Sequence, residues 1–260
     1  MPRLAANLTM LFTEYPTLER FDRAAAAGFA GVELLFPYSE DAEVVREAAN
    51  AAGVEYVLFN LPAGDWNAGD RGLAADPARE VEFLAGLPKA VQYAEVIKPS
   101  RINLLAGKSE TTGVTDLIVS NISAAASALS GLELMLTVEP VNNLDVAGFA
   151  LPTTQDALDA IAAAGQPNVA LQYDVYHALR MGEDPFSFIA ANGASIGHIQ
   201  IADVPGRHQP GTGEIDWVAL FETIDASGYS GWVSLEYVPE GPTEDGFGHL
   251  RELGYLQPSS

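Results

Sequence analysis

Four apolar runs in the second half of the 260-residue chain each close on an oxygen-bearing side chain. They read Leu-Thr-Val-Glu139, Leu-Gln-Tyr-Asp174, His198-Ile-Gln200 and Val-Ser-Leu-Glu236. A charged group ending an apolar run costs several kcal/mol if it is buried without a partner. Three carboxylates brought together would also repel one another, and a divalent cation removes that conflict. Carboxylate and amide oxygens suit a hard ion such as Mg²⁺ or Mn²⁺. Thiolate chemistry is excluded, because the chain has no cysteine. That also removes disulfides, iron–sulfur clusters and a cysteine nucleophile.

The cations are few. Thirteen Lys and Arg face 35 Asp and Glu, a formal charge of −22. Nucleic acid is therefore not an expected partner, since a phosphate backbone needs clustered basic residues. An anionic membrane surface is disfavoured for the same reason. A small anionic substrate is not, because one or two placed cations suffice to bind it. Arg71, Lys108 and Arg207 fall on loops where a substrate carboxylate could meet them.

These residues need a frame. Eight short apolar runs, at 4–8, 31–36, 55–60, 101–105, 133–138, 169–173, 196–201 and 232–236, read as strands. Several are apolar nearly throughout, as in a parallel sheet covered on both faces. Helical patterns at 17–27, 39–52, 77–97, 113–129, 153–164, 185–192, 216–227 and 244–253 separate or follow them. Proline near a start and glycine just past an end punctuate most of these segments. Asp216 is the expected N-cap of the seventh helix.

Eight strand–helix units in this length predict a single (β/α)8 TIM barrel over residues 1–260. A doubly wound sheet would want a G-x-G-x-x-G turn after its first strand, and Asn7-Leu-Thr-Met does not supply one. No nucleotide cofactor is expected. In a barrel the C-terminal strand ends form the catalytic rim, so Glu139, Asp174, Gln200 and Glu236 share one rim.

At these residues the sequence resembles the hydroxypyruvate isomerase family of the xylose-isomerase-like barrels. The resemblance runs through nearly the whole chain. It is carried by Ala-Asn7-Leu, Gly31-Val-Glu33-Leu-Leu-Phe-Pro37, Phe59-Asn60-Leu-Pro-Ala-Gly64-Asp-Trp66 and Gly69-Asp-Arg71-Gly. It continues in Asn103-Leu-Leu-Ala-Gly107-Lys108, Glu139-Pro-Val-Asn142, Asp174-Val-Tyr-His177 and His198-Ile-Gln200-Ile-Ala-Asp203. Pro210-Gly-Thr-Gly213-Glu214-Ile-Asp216 and Glu236-Tyr complete it.

The resemblance implies that Glu139, Asp174, Gln200 and Glu236 hold a divalent metal and that Glu139 and Glu236 double as an acid/base pair. Related ketose epimerases carry His where Gln200 stands, so an all-oxygen set favours Mg²⁺ over Mn²⁺ or Zn²⁺. The implied reaction isomerises a small hydroxy-keto acid, hydroxypyruvate to tartronate semialdehyde, through a cis-enediolate. His177 is implied to hydrogen-bond a substrate oxygen. His198 shares a face with Gln200 but sits deeper, and reads as a satisfied core residue. Glu33 is expected to orient neighbouring Arg or His side chains, and Trp66 and Phe12 read equally as pocket walls or as ordinary packing.

Rival readings stand beside this one: a 2-oxo-tetronate isomerase, a ketose 3-epimerase, or a non-catalytic sugar-acid binding barrel. An apurinic endonuclease is opposed by the charge and by a total of four histidines. The N-terminus lacks an apolar stretch behind a basic start, and no run of about 18 apolar residues appears. A cytoplasmic protein is the expectation, and the apolar loop segments permit a homodimer.

Overall fold

The computed structural model describes residues 1–257. Its strands are β1 (Arg3–Asn7), β2 (Gly31–Glu33), β3 (Glu55–Asn60), β4 (Arg101–Leu105), β5 (Met135–Glu139), β6 (Val169–Asp174), β7 (Ile196–Ile201) and β8 (Trp232–Leu235). All pair in parallel in sequence order, and β8 closes back on β1. The result is one closed (β/α)8 barrel.

Its helices are α1 (Glu19–Ala27), α2 (Ala42–Ala52), α3 (Glu80–Ile97), α4 (Asp116–Leu129), α5 (Thr154–Ala164), α6 (Val175–Arg180), α7 (Pro185–Asn192), α8 (Trp217–Ala226) and α9 (Gly248–Glu252). Among the described residues none is long and apolar enough to cross a membrane. Local chemistry sets their ends. The Asp41 side chain caps α2 and Gly53, at φ 71°, ends it in the left-handed region. Thr153 and Asp156 form a capping box on α5. Asp216 caps α8 through the Ala219 amide at 3.0 Å.

Several elements depart from the sequence expectation, most by one to three residues, and three of the departures bear on the site or its supports. The second strand ends at Glu33 rather than 36, because the Leu35 amide turns to Thr9 Oγ1 at 2.8 Å. The long third helix opens with a 3₁₀ turn at Pro77–Arg79. An extra helix, α6, follows Asp174 directly, and the Asp174 side chain caps it through the Tyr176 amide at 2.8 Å.

The barrel lumen is polar over the layers that support the rim. Asn7, Glu33, Asn103, Thr137, Gln172, His198, Gln200 and Ser234 are all essentially inaccessible. A (β/α)8 interior is more often filled by branched apolar residues, so this layer is committed to hydrogen bonding. Register shifts fall at Val32/Glu33 and at Leu171/Gln172, each beside one of these polar residues. Such irregularities re-aim side chains next to a site.

Two loops that carry sequence-predicted cations are clamped by glycine. A Cβ on Gly72 would meet the Leu105 carbonyl oxygen at 2.2 Å, and one on Gly107 would meet the Gly72 carbonyl oxygen at 2.2 Å. Both residues also have positive φ, 119° and 87°. Only glycine allows backbones to approach this closely in that conformation.

Candidate active site

The three carboxylates and His177 converge at the C-terminal rim, and all four are buried. Glu139 ends β5. Its Oε2 accepts from Asn103 Nδ2 at 2.7 Å and from Gln172 Nε2 at 3.1 Å. Asp174 ends β6. Its Oδ1 is taken by the cap of α6, and its Oδ2 lies 3.2 Å from Arg207 Nη2. Glu236 follows β8. Its Oε2 accepts from Asn7 Nδ2 at 3.1 Å and from Gln200 Nε2, and its Oε1 accepts from Arg207 Nη2 at 2.7 Å.

His177, on α6, places Nε2 3.5 Å from Asp174 Oδ2 and 3.9 Å from Glu139 Oε1. On its other side Nδ1 lies 2.6 Å from Asn142 Nδ2. Burial pushes the imidazole down to about 4, so the ring is neutral near neutral pH.

Electrostatics follow from this crowding. Burial, then the nearby Glu236 and Asp174, push the Glu139 carboxyl well above the ordinary carboxylate range. Burial pushes Glu236 up to about 8 against the opposing pull of Arg207. One guanidinium nitrogen thus bridges two of three crowded carboxylates and leaves Glu139 Oε1 without a cationic partner. This donor chemistry fits a hard divalent ion. Glu139, Asp174 and His177 each offer an atom within 4.8 Å of the others, close enough to share one ion.

The remaining sequence-predicted residues fall into three groups. Gln200 is in the cluster, but turned. Its Oε1 accepts from Gln172 Nε2 at 2.6 Å, while its Nε2 donates to Glu33 Oε2 at 3.0 Å and to Glu236. Here it acts as a donor between carboxylates, where the sequence reading has it offering oxygen. Arg71 lines the cavity mouth. It lies 4.1 Å over the Trp66 ring and donates to the Trp66 carbonyl at 3.0 Å. Lys108 is not brought in: Nζ donates to the Gly69 carbonyl at 2.8 Å, and the residue does not line the cavity.

The cavity over the cluster measures about 820 Å³. Glu139, Glu236, His177 and Arg207 reach it from the rim, and Phe36, Trp66 and Phe149 are among its apolar walls. Phe12 does not wall it, but packs on Phe247 with ring centroids 5.8 Å apart. Glu33 meets His198 Nε2 in the lumen.

Several contributors escaped the sequence reading. Asn7, Asn103 and Gln172 supply the donors that orient the two glutamates. Asp203 pins the loop that carries Arg207. It accepts from the amides of Val204 and Gly211, both at 2.9 Å, and from Trp217 Nε1 at 3.0 Å. Period two along a strand was the available signal: Gln172 stands two residues before Asp174 and shares its face.

Comparison with known proteins follows the geometry. The family model for xylose isomerase-like TIM barrels matches residues 21–253. Hydroxypyruvate isomerase of Escherichia coli (strain K12) is 43% identical, over 95% of this chain and 97% of that protein. The 2-oxo-tetronate isomerase of Cupriavidus necator is 40% identical, over 96% and 98%. A crystal structure described as AP endonuclease, family 2, from Brucella melitensis superposes with a TM-score of 0.93 at 38% identity, over 99% of this chain and 100% of that one. The chain therefore belongs to the xylose isomerase-like TIM barrel family, on its hydroxypyruvate isomerase branch, and is an isomerase.

Proposed function

We propose that the protein interconverts hydroxypyruvate and tartronate semialdehyde with the help of a divalent metal, Mg²⁺ being favoured. The observation that carries this is the pair of buried glutamates, from the ends of β5 and β8, that reach one cavity in different electrostatic settings. Glu139, Asp174 and Glu236, with Gln200 after a half-turn of its amide, would hold the metal. When bound, the metal supplies Lewis-acid stabilisation of charge on the substrate oxygens.

The proton chemistry belongs to the chain. Moving the carbonyl from C2 to C3 requires removal of a proton from C3, delivery of one to C2 and passage of the C3 hydroxyl proton to the C2 oxygen, with a cis-enediolate between. Glu236 accepts a charge-assisted bond from Arg207 and is the better-held anion, which suits it to take the C3 proton. Glu139 accepts only from neutral amides and holds a proton more readily, which suits it to supply C2. His177 hydrogen-bonds a substrate oxygen, and Arg207 faces the substrate carboxylate. Both glutamates are buried, so their charges act at low screening.

Turnover of hydroxypyruvate in D₂O, with Mg²⁺ present, tests the reading. Deuterium should enter the product, and Glu139→Gln and Glu236→Gln should each lower kcat by about 10²-fold or more. Near-native turnover in either variant overturns the acid/base pair.

A second reading has a specific observation behind it. A cavity of about 820 Å³ is roomy for a three-carbon acid, and a four-carbon 2-oxo-tetronate would fill it better. Relative kcat/KM on the two acids decides between them. A phosphodiester substrate is opposed by 35 acidic against 13 basic residues. We place the enzyme in the cytoplasm, which cell fractionation checks.

A further inference from the structure

His177 stands where two roles compete. Its Nε2 faces Glu139 and Asp174 closely enough to complete a metal site, yet the same nitrogen could instead donate to substrate. The two roles need opposite tautomers. A metal ligand needs a lone pair on Nε2, and a donor needs the proton there. The contacts on the far side of the ring decide which is present.

Those contacts run through Asn142, fully buried in the loop after β5. Its Oδ1 accepts from the Asp145 backbone amide at 2.9 Å. Its Nδ2 lies 3.0 Å from Asp145 Oδ2 and 2.6 Å from His177 Nδ1. Both Asp145 contacts fix the direction of the amide. Flipping it would set an NH₂ against a backbone N–H and an oxygen against a carboxylate oxygen. The orientation shown uses both amide hydrogens, one on Asp145 and one on His177, and it leaves no unpaired group on the Asn142 amide. Asp145 is itself held, by Tyr176 Oη at 2.7 Å and Arg180 Nη2 at 3.1 Å. Nδ1 of His177 must therefore accept, and the ring proton resides on Nε2.

We infer that Asn142, braced by Asp145, is a positioning residue that locks His177 as the Nε2–H tautomer, so that His177 donates to a substrate oxygen and does not ligate the metal. The substrate half of this statement rests on the isomerase reading; the tautomer does not. It assigns a function to the Asn142 of Glu139-Pro-Val-Asn142 that strand-end logic cannot reach, because the residue does not itself line the cavity and reaches it only through His177 and Asp145.

Long-range ¹H–¹⁵N correlation spectra of the ¹⁵N-labelled protein read the tautomer directly, with His177→Gln assigning the signals among the four histidines. The wild type should show a pyrrole-type Nε2 and a pyridine-type Nδ1, both before and after saturation with Mg²⁺. Asn142→Asp replaces the donor by an acceptor and should move the proton to Nδ1. Should that variant fold poorly, Asn142→Ala serves, and should give a mixture of the two forms. In Asn142→Asp kcat should fall on the order of 10²-fold while KM changes little, the pattern of a donor lost from a developing oxyanion, and in Asn142→Ala by only about the fraction of rings that lose the Nε2 proton. A pyridine-type Nε2 in the wild type, or loss of its proton on adding Mg²⁺, overturns the inference. So does an unchanged tautomer in both Asn142 variants. An Nε2–H ring in a protein that turns over no keto acid leaves the tautomer standing and removes the isomerase reading instead.

Discussion

Glu139→Gln should stabilise the metal-free protein increasingly as the pH rises. The carboxyl is buried at the end of β5, and burial together with Glu236 and Asp174 lifts it well above its value of 4.5 in an unfolded chain. Above pH 4.5 the unfolded chain has released this proton and the folded protein still holds it. The folded state then binds one proton more, so stability falls by about 1.4 kcal/mol per pH unit until the raised value is passed. The contribution is complete below pH 4.5 and is lost as the pH climbs. Glutamine copies the protonated shape, keeps the acceptor oxygen for Asn103 and Gln172, and cannot ionise. In the window between the unfolded value and the raised one, the variant should therefore gain about 1.4 kcal/mol on the wild type per pH unit. Urea unfolding after chelation, at three pH values in that window, measures it. Acidic residues remote from the cluster cancel in the difference, while Glu236 and Asp174, which interact with Glu139, contribute to it. Because a metal binds the carboxylate form, adding Mg²⁺ should release a proton and rescue the wild type more at higher pH. A stability difference that stays constant across the window would refute the reasoning.

Other outcomes follow from the same geometry. Arg207→Ala removes the cation shared by Asp174 and Glu236 and should lower kcat/KM for hydroxypyruvate by about 10²-fold; Lys108→Ala, whose ammonium is turned to Gly69, should stay within about threefold in the same steady-state assay. Asp203→Asn replaces an acceptor that pins four N–H groups, those of Val204, Gly211, Ile215 and Trp217, so the Arg207 loop should loosen. Activity should drop on the order of tenfold, and the Trp217 fluorescence should shift as its indole N–H loses its partner. Gly72→Ala drives a Cβ into the Leu105 carbonyl at 2.2 Å with φ at 119°. It should cost roughly 2 kcal/mol or more in urea unfolding.

Much of this site is written at strand ends, where sequence is easiest to read. Glu139, Asp174, Gln200 and Glu236 are visible because each interrupts an apolar run, and a parallel barrel has one catalytic rim. Helix α6 is invisible for the opposite reason: six residues give no period, and Asp174 serves at once as the last strand residue and as the helix cap. Loop cations resist reading too. Arg71, Lys108 and Arg207 are alike in sequence, and only the path of each loop decides that Arg207 reaches the carboxylates while Lys108 turns away. The amide residues Asn103, Gln172 and Asn142 carry no charge to mark them. Their role exists only once neighbouring strands and loops bring their hydrogens to particular oxygens.

Those amides explain how three carboxylates share a buried rim in a chain already carrying a formal charge of −22. Each carboxylate has one oxygen tied back into the fold and the other turned toward the reaction space. Glu139 Oε2 is tied by Asn103 and Gln172, Asp174 Oδ1 by the first turn of α6, and Glu236 Oε2 by Asn7 and Gln200. The remaining oxygens, Glu139 Oε1, Asp174 Oδ2 and Glu236 Oε1, face His177 or Arg207. Neutral donors cannot cancel the charge, so burial and the remaining repulsion together raise the Glu139 and Glu236 carboxyls. What the donors do is fix direction. Three oxygens are held toward one space, two of them on Arg207, in an arrangement that would leave little reorganisation for the moment of reaction. The polar lumen gives up the apolar packing usual inside such barrels, and the orientation of the rim is what that packing is exchanged for.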